Sequence, residues 1–213
     1  MLYIKKYKPP NSFVHYVKQP NVHFDDMDTE VKQELRLSLL REQGWLCAYC
    51  MKRLSFDGND VKIEHYEPRN TENELKYENL LAVCKGGEGS VPERQTCDTR
   101  KGNQVLKINP QRRQDIDTVS YTSNGDILSS DNVFQADFDN ILNLNDSQGY
   151  LIKNRRQALI SFQKEIYKKL HGKHASADFW QNCLLKYEKC DRGVKVPYLG
   201  IILWYIRKKC GIK

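Results

Sequence analysis

No apolar run in these 213 residues approaches the roughly 18 that a membrane-crossing helix needs. The longest, Tyr198 to Ile206, is about half as long and is interrupted by Gly200. The opening MLYIKKYKPP sets Pro9 and Pro10 where a secretion signal would carry its apolar stretch. Membrane and extracellular roles are therefore not expected, and the expected location is cytoplasmic. No internal repeat or low-complexity tract is present, which excludes a solenoid. Basic side chains are missing altogether from residues 114–150, which carry 7 acidic ones. Disorder is not the explanation of a mean hydropathy of −0.70, because 12 Tyr, 7 Phe and 3 Trp supply material for a core.

The formal net charge is +7 and unevenly placed. Residues 151–213 hold 15 basic and 4 acidic side chains, next to the purely acidic stretch. Such a basic third suits a polyanion such as nucleic acid, or is a set of solvated lysine-rich helix faces.

Residues 1–27, with Pro9, Pro10 and Pro20 among aromatics, read as an extended arm laid over a core. A helix follows, capped by Asp28, with Val31, Leu35, Leu39 and Leu40 at three-to-four spacing and Gly44 as its stop. TVSYTSNGDILSS predicts a hairpin turning at Asn124-Gly125. Three helices then close the chain. One spans about 147–171 with Leu151, Leu159, Phe162, Ile166 and Leu170 on one side. A second spans about 177–190 with Phe179, Trp180, Cys183, Leu184 and Tyr187 inward, and a third starts with Pro197 in its first turn. The expected class is α+β, a small β-containing centre (45–113) between an N-terminal arm and helix (1–44) and a hairpin plus basic helices (114–213).

Seven cysteines without a secretion signal point to a reducing compartment and to metal ligation. Cys47 and Cys50 form a CxxC pair, and Cys84 and Cys97 are the other half of a candidate four-thiolate zinc site. Twelve turn-rich residues separate the second pair and are expected to bulge out as a loop; a pair of buried free thiols is the alternative. Cys183 and Cys190 sit too far apart on one helix for a disulfide and read as core packing, while Cys210 says little. Trp180, Trp204 and Tyr205 fall at helical spacing and also read as core.

Between the two halves of the cysteine set, Val61 to Pro68 forms a short alternating segment ending in Glu64-His65. Asn79 opens the apolar run Leu80 to Val83, and Cys97 leads into Asp98-Thr99-Arg100-Lys101-Gly102-Asn103. A neutral imidazole takes a proton from water near neutral pH. A hard cation held by carboxylate and amide oxygens stabilises the leaving oxygen of a phosphodiester. Alternation along a strand would separate Glu64 from His65, so the strand is expected to end or twist there.

CAYC, IEHYEP, ENLLAVC and CDTRKGN, in that order, resemble the HNH endonuclease motif of the ββα-metal fold in its four-cysteine zinc form. The flanks, with Ile108-Asn109-Pro110, the hairpin, ILNLN and Arg155-Arg156, resemble the PtuB-like HNH proteins of Septu anti-phage systems and their retron-associated relatives. The resemblance implies His65 as general base, Glu64 as a metal ligand, Asn79 as a loop-fixing residue and Asn103 as the last ligand of a catalytic magnesium or manganese ion, with Asp98 as the fallback. It further implies structural zinc on the four cysteines, phosphate contacts from Arg100 and Lys101, and as partners a PtuA-like ABC-type ATPase and, in retron systems, a reverse transcriptase with its RNA–DNA product. Two other readings stand beside a defence endonuclease: a zinc-stapled nucleic-acid-binding module without catalysis, and a stand-alone restriction-type HNH nuclease.

Overall fold

The structure is a computed structural model and describes residues 1–56, 60–146, 148–189 and 193–212. The arm is not wholly extended. Asn11–Val17 forms helix α1, with Pro10 as its N-cap and Phe13 and Tyr16 buried one turn apart. Two prolines just ahead of a helix cost it nothing, since the first-turn N–H groups have no intrahelical partner. Helix α2, Thr29–Gln43, buries Leu35, Leu39 and Leu40. Asp28 stands at its N-cap without a side-chain capping bond, and Gly44 ends it in the left-handed region (φ +66°).

Strands β1 (Val61–His65) and β2 (Leu80–Cys84) pair antiparallel, with Glu64 opposite Leu81 and His65 opposite Leu80. β2 is buried along its whole length. The short helix α3, Cys97–Lys101, packs on β2. One more helical turn, α4 (Arg113–Ile116), leads into the hairpin β3 (Val119–Tyr121) and β4 (Ile127–Ser129). Thr122 pairs with Asp126, so the loop is Ser123-Asn124-Gly125, with Gly125 at φ +106°. Helix α5 (Asn132–Ala136) is capped by the Asp131 carboxylate and passes into a wider π-type turn, Asp137–Ile141.

The closing helices are α6 (Tyr150–Leu170), α7 (Ala177–Glu188) and α8 (Leu199–Lys209). Pro197 lies ahead of α8 rather than inside its first turn. Tyr198 takes a left-handed conformation, and its N–H is given to the Met51 carbonyl (3.0 Å), so the helix begins only at Leu199. Gly200 sets its N–H 3.3 Å from the Met51 sulfur, and a Cβ there would lie 2.4 Å from the Tyr121 hydroxyl. Trp180 is buried, with Trp204, Tyr205, Phe179, Cys183, Leu184, Tyr187 and Cys210 partly buried against the same core; Cys190 lies outside the described residues. Arg155 is fully buried despite its place in the basic third: its guanidinium donates to the carbonyls of Gly125 and Leu144 and to Asn145. The described residues are thus mixed α and β, with two small sheets among them. Among the described residues no helix is long and apolar enough to cross a membrane.

Candidate metal centre and active site

Cys47 and Cys50 sit on a tight knuckle in which the N–H of Met51 returns to the Cys47 carbonyl (3.0 Å) and that of Cys47 to the Lys52 carbonyl (2.9 Å). Cys84 ends β2 and Cys97 begins α3. The loop between them bulges outward, and its neck is closed by the Thr96 N–H on the Gly86 carbonyl (2.8 Å). Gly86 is in the left-handed region (φ +51°), and a Cβ there would fall 1.9 Å from the Thr96 oxygen. Only glycine fits this neck.

The four buried sulfurs lie within 4.8 Å of one another, with Cys47–Cys97 at 3.9 Å and Cys50–Cys84 at 3.7 Å. Thiolates on a tetrahedral zinc with bonds of about 2.3 Å stand about 3.8 Å apart, so the quartet fits that ion. Burial works against the Cys47 thiolate, but hydrogen bonds with Cys50, Cys84 and Cys97 hold it well below the usual thiol range. The contact with Cys47, first among the causes, pushes Cys50 and Cys97 well above it.

Glu64 and His65 close β1 side by side but meet different surroundings. Lys62 and Glu64 share the face that looks at α3. Lys62 Nζ reaches Asp98 Oδ2 at 3.1 Å, and Glu64, buried, lies against Asp98, Lys101 and Tyr49. Burial first, then hydrogen bonding and charge repulsion from Asp98, push the Glu64 carboxyl up to about 8; Lys101 opposes this. The Lys101 ammonium is 2.7 Å from Glu64 Oε1 and also donates to the carbonyls of His65 (3.2 Å) and Gly102 (3.3 Å). It is only 1% exposed and is not presented to a phosphate. Arg100 is half-buried and gives Nη1 to the Pro92 carbonyl (3.1 Å). Asn103 is exposed beyond Gly102, and among the described residues no hydrogen bond joins it to Glu64. The carboxylate that the fold brings to Glu64 is Asp98.

His65 is half-buried on the other side, facing the loop 66–76 and the arm. Its Nε2 lies 2.9 Å from the Glu74 carbonyl. A carbonyl only accepts, so Nε2 carries the proton and Nδ1 keeps the lone pair of the neutral ring. Burial lowers the pKa of His65 from the ordinary imidazole value. Asn79, buried at the start of β2, ties the loop down: Oδ1 accepts from the Glu67 N–H (2.7 Å), and Nδ2 donates to the carbonyls of Glu67 (3.1 Å) and Asn73 (3.4 Å). Its own carbonyl takes the Tyr66 N–H (2.8 Å), directly after His65.

No protein-family model matches the chain. Over 83 residues, 33% of its length, it is 30% identical to a protein named Retron Ec83 putative HNH endonuclease of Escherichia coli, covering 32% of that protein. Over 124 residues, 56% of the chain, it is 26% identical to Septu protein PtuB of Bacillus thuringiensis, covering 44% of it. The chain is a relative of PtuB-like HNH proteins. It spans between a third and a half of the length of these curated relatives.

Several residues shape the site without any local signal in the sequence. Lys101 reads as one more helix charge until α3 turns it inward onto Glu64. Tyr49, inside the CxxC, gives its hydroxyl to Glu64 Oε1 at 3.3 Å. Glu74 and Phe24 bracket the His65 ring from a loop and from the arm. Asp98 alone carried a signal, since it directly follows a metal-ligating cysteine at a helix start.

Proposed function

We propose that the chain is a metal-dependent HNH-type endonuclease that hydrolyses phosphodiester bonds of nucleic acid, an effector of anti-phage defence. The observation that carries this is the end of β1. A buried carboxyl group there lies against the Asp98 carboxylate on α3, and the next residue, on the other face, is an imidazole whose Nε2 is tied to the Glu74 carbonyl. The order β1, β2, α3, stapled by four cysteines at the knuckle and at both ends of the bulged loop, supports a ββα-metal core. The names of the two relatives support the defence role, and with it a PtuA-like ABC-type ATPase or retron components as partners.

The donor set fits a hard divalent cation, because two adjacent carboxyl groups offer the oxygen ligands that such an ion takes. Glu64 and Asp98 would hold it, with Asp98 in the role that the motif alone gives to Asn103. A magnesium or manganese ion bound there supplies charge stabilisation to the leaving oxygen. His65 takes a proton from water at Nδ1, and the Glu74 carbonyl fixes the direction in which that lone pair points. Asn79 holds the loop that carries this carbonyl. The zinc quartet is structural, since four thiolates leave no open position.

The 2.7 Å contact between Lys101 and Glu64 favours a second reading, a zinc-stapled nucleic-acid-binding module in which this is only a buried ion pair. Incubating the chain, alone and with the ATPase, with plasmid and with total tRNA in magnesium or manganese separates the two and identifies the substrate. Cleavage that His65→Ala abolishes, with zinc content unchanged, supports the nuclease; binding without cleavage, or cutting by His65→Ala at the wild-type rate, refutes this site.

A further inference from the structure

Glu74 is used twice. Its carbonyl accepts the His65 Nε2 proton, and its buried carboxylate takes the His23 Nδ1 proton (2.8 Å) and the Phe24 N–H (3.3 Å) from the arm. The segment it grips runs over the surface: the side chains of His23 and Asp25 are 56% and 70% exposed. Polar ties hold it there. Tyr16 donates to the His23 carbonyl (2.7 Å), Lys32 to that of Asp25 (3.0 Å), and Arg69, from the loop 66–76, pairs with Asp25 (2.8 Å). Between these ties the Phe24 ring meets the imidazole of His65 edge-to-face, centroids 4.6 Å apart at 76°.

Resting on the reading of His65 as the base, we propose that the arm completes the active site: Phe24, clamped by Glu74, is a positioning residue that holds the His65 ring with Nδ1 aimed at the attacking water. One hydrogen bond fixes one edge of an imidazole but leaves the ring free to tilt about it. A second ring packed against it removes that freedom, and a misplacement of about 1 Å is costly to proton transfer. His23 and Asp25 serve only to keep Phe24 in place.

The test uses the full chain, with Phe24→Leu (apolar volume kept, ring lost), Phe24→Tyr (ring kept) and Glu74→Ala (carbonyl kept, arm released). Phe24→Leu and Glu74→Ala are expected to lower kcat for plasmid cleavage about 10- to 100-fold with KM and zinc content unchanged. Phe24→Tyr is expected to stay near wild type. Independently of activity, the His65 Nε2 proton should give a sharp, slowly exchanging NMR signal in the wild type and in Phe24→Tyr, and exchange-broaden in the other two. Wild-type kcat together with an unchanged His65 signal in Phe24→Leu overturns the proposal. Should His65→Ala itself cut like the wild type, the assignment of the base fails, while the NMR signal still decides whether Phe24 and Glu74 hold the ring.

Discussion

Gly86→Ala tests whether the neck of the bulged loop governs the metal centre. The added methyl would sit 1.9 Å from the Thr96 carbonyl oxygen, a distance at which backbone must part. Two costs combine: about 1–2 kcal/mol for an L-residue in the left-handed region, and about 1 kcal/mol for the Thr96–Gly86 hydrogen bond that opens. Cys84 and Cys97 flank this neck, so the strain falls on the metal-bound state, where ligand positions tolerate only about 0.2 Å. A penalty of about 2–3 kcal/mol corresponds to a zinc affinity lower by about 30- to 150-fold. Gly89→Ala is the control. It too has positive φ (+82°), but nothing lies within 4 Å of its Cβ position, so its cost stays near about 1 kcal/mol and a loss of about fivefold. Competition against a chelator of known affinity measures both, and cobalt substitution reports whether the four-sulfur geometry survives. Equal affinities in the two variants would refute the argument that the neck sets the spacing of the quartet.

Asn79→Ala removes three hydrogen bonds from the loop behind His65 and should cost about 2–3 kcal/mol, read as a lowered urea midpoint, with cleavage falling further than stability. Arg155→Met takes the guanidinium donor from the Gly125 and Leu144 carbonyls, while Asn145 Oδ1 keeps the Ile127 N–H; a loss of about 3 kcal/mol is expected, and a midpoint within experimental error of wild type would contradict it. Glu64 gives a pH test with a definite sign. Its pKa in the folded chain, about 8, lies above the value of 4.5 for a free glutamate, so its contribution to stability is complete below pH 4.5 and disappears as pH rises through 8. Without added divalent cation, thermal denaturation should therefore show a fall in stability from pH 6 to 9 that Glu64→Gln flattens. Manganese binding should run the other way, tightening with pH until about 8 as the competing proton leaves; calorimetry at pH 6, 7 and 8 checks this.

Much of the architecture is legible in the sequence because periodicity and turn chemistry act locally. Leu35, Leu39 and Leu40 mark α2, Gly44 its end, and Asn124-Gly125 the hairpin loop. The cysteines are legible for a different reason: thiolate ligation demands convergence, so a CxxC pair calls for partners wherever they lie, and the turn-rich run before Cys97 can be looped out. What stays hidden is set by tertiary contacts. Helix α1 is short and sits behind two prolines that read as extended chain, and only the burial of Phe13 and Tyr16 makes it stable. The start of α8 depends on the Tyr198 N–H being given to Met51, far earlier in the chain. Within the candidate site, Glu64 and His65 stand out as residue types. Whether Asp98 or Asn103 stands next to Glu64 depends on where α3 begins, and the inward turn of Lys101 follows from the same helix.

The fastening of Gly200 onto Met51 spans 149 positions of chain. Helix α8 is therefore a lid screwed onto the back of the cysteine knuckle, and hydrophobic side chains from both sides of that seam leave water together. A fragment trimmed at residue 113 to isolate the proposed nuclease unit would bare Met51, whose carbonyl takes the Tyr198 N–H and whose sulfur meets the Gly200 N–H. The smallest piece expected to fold with the proposed site is accordingly far larger than its motif, and keeping metal from the four cysteines should loosen a helix far along the polypeptide.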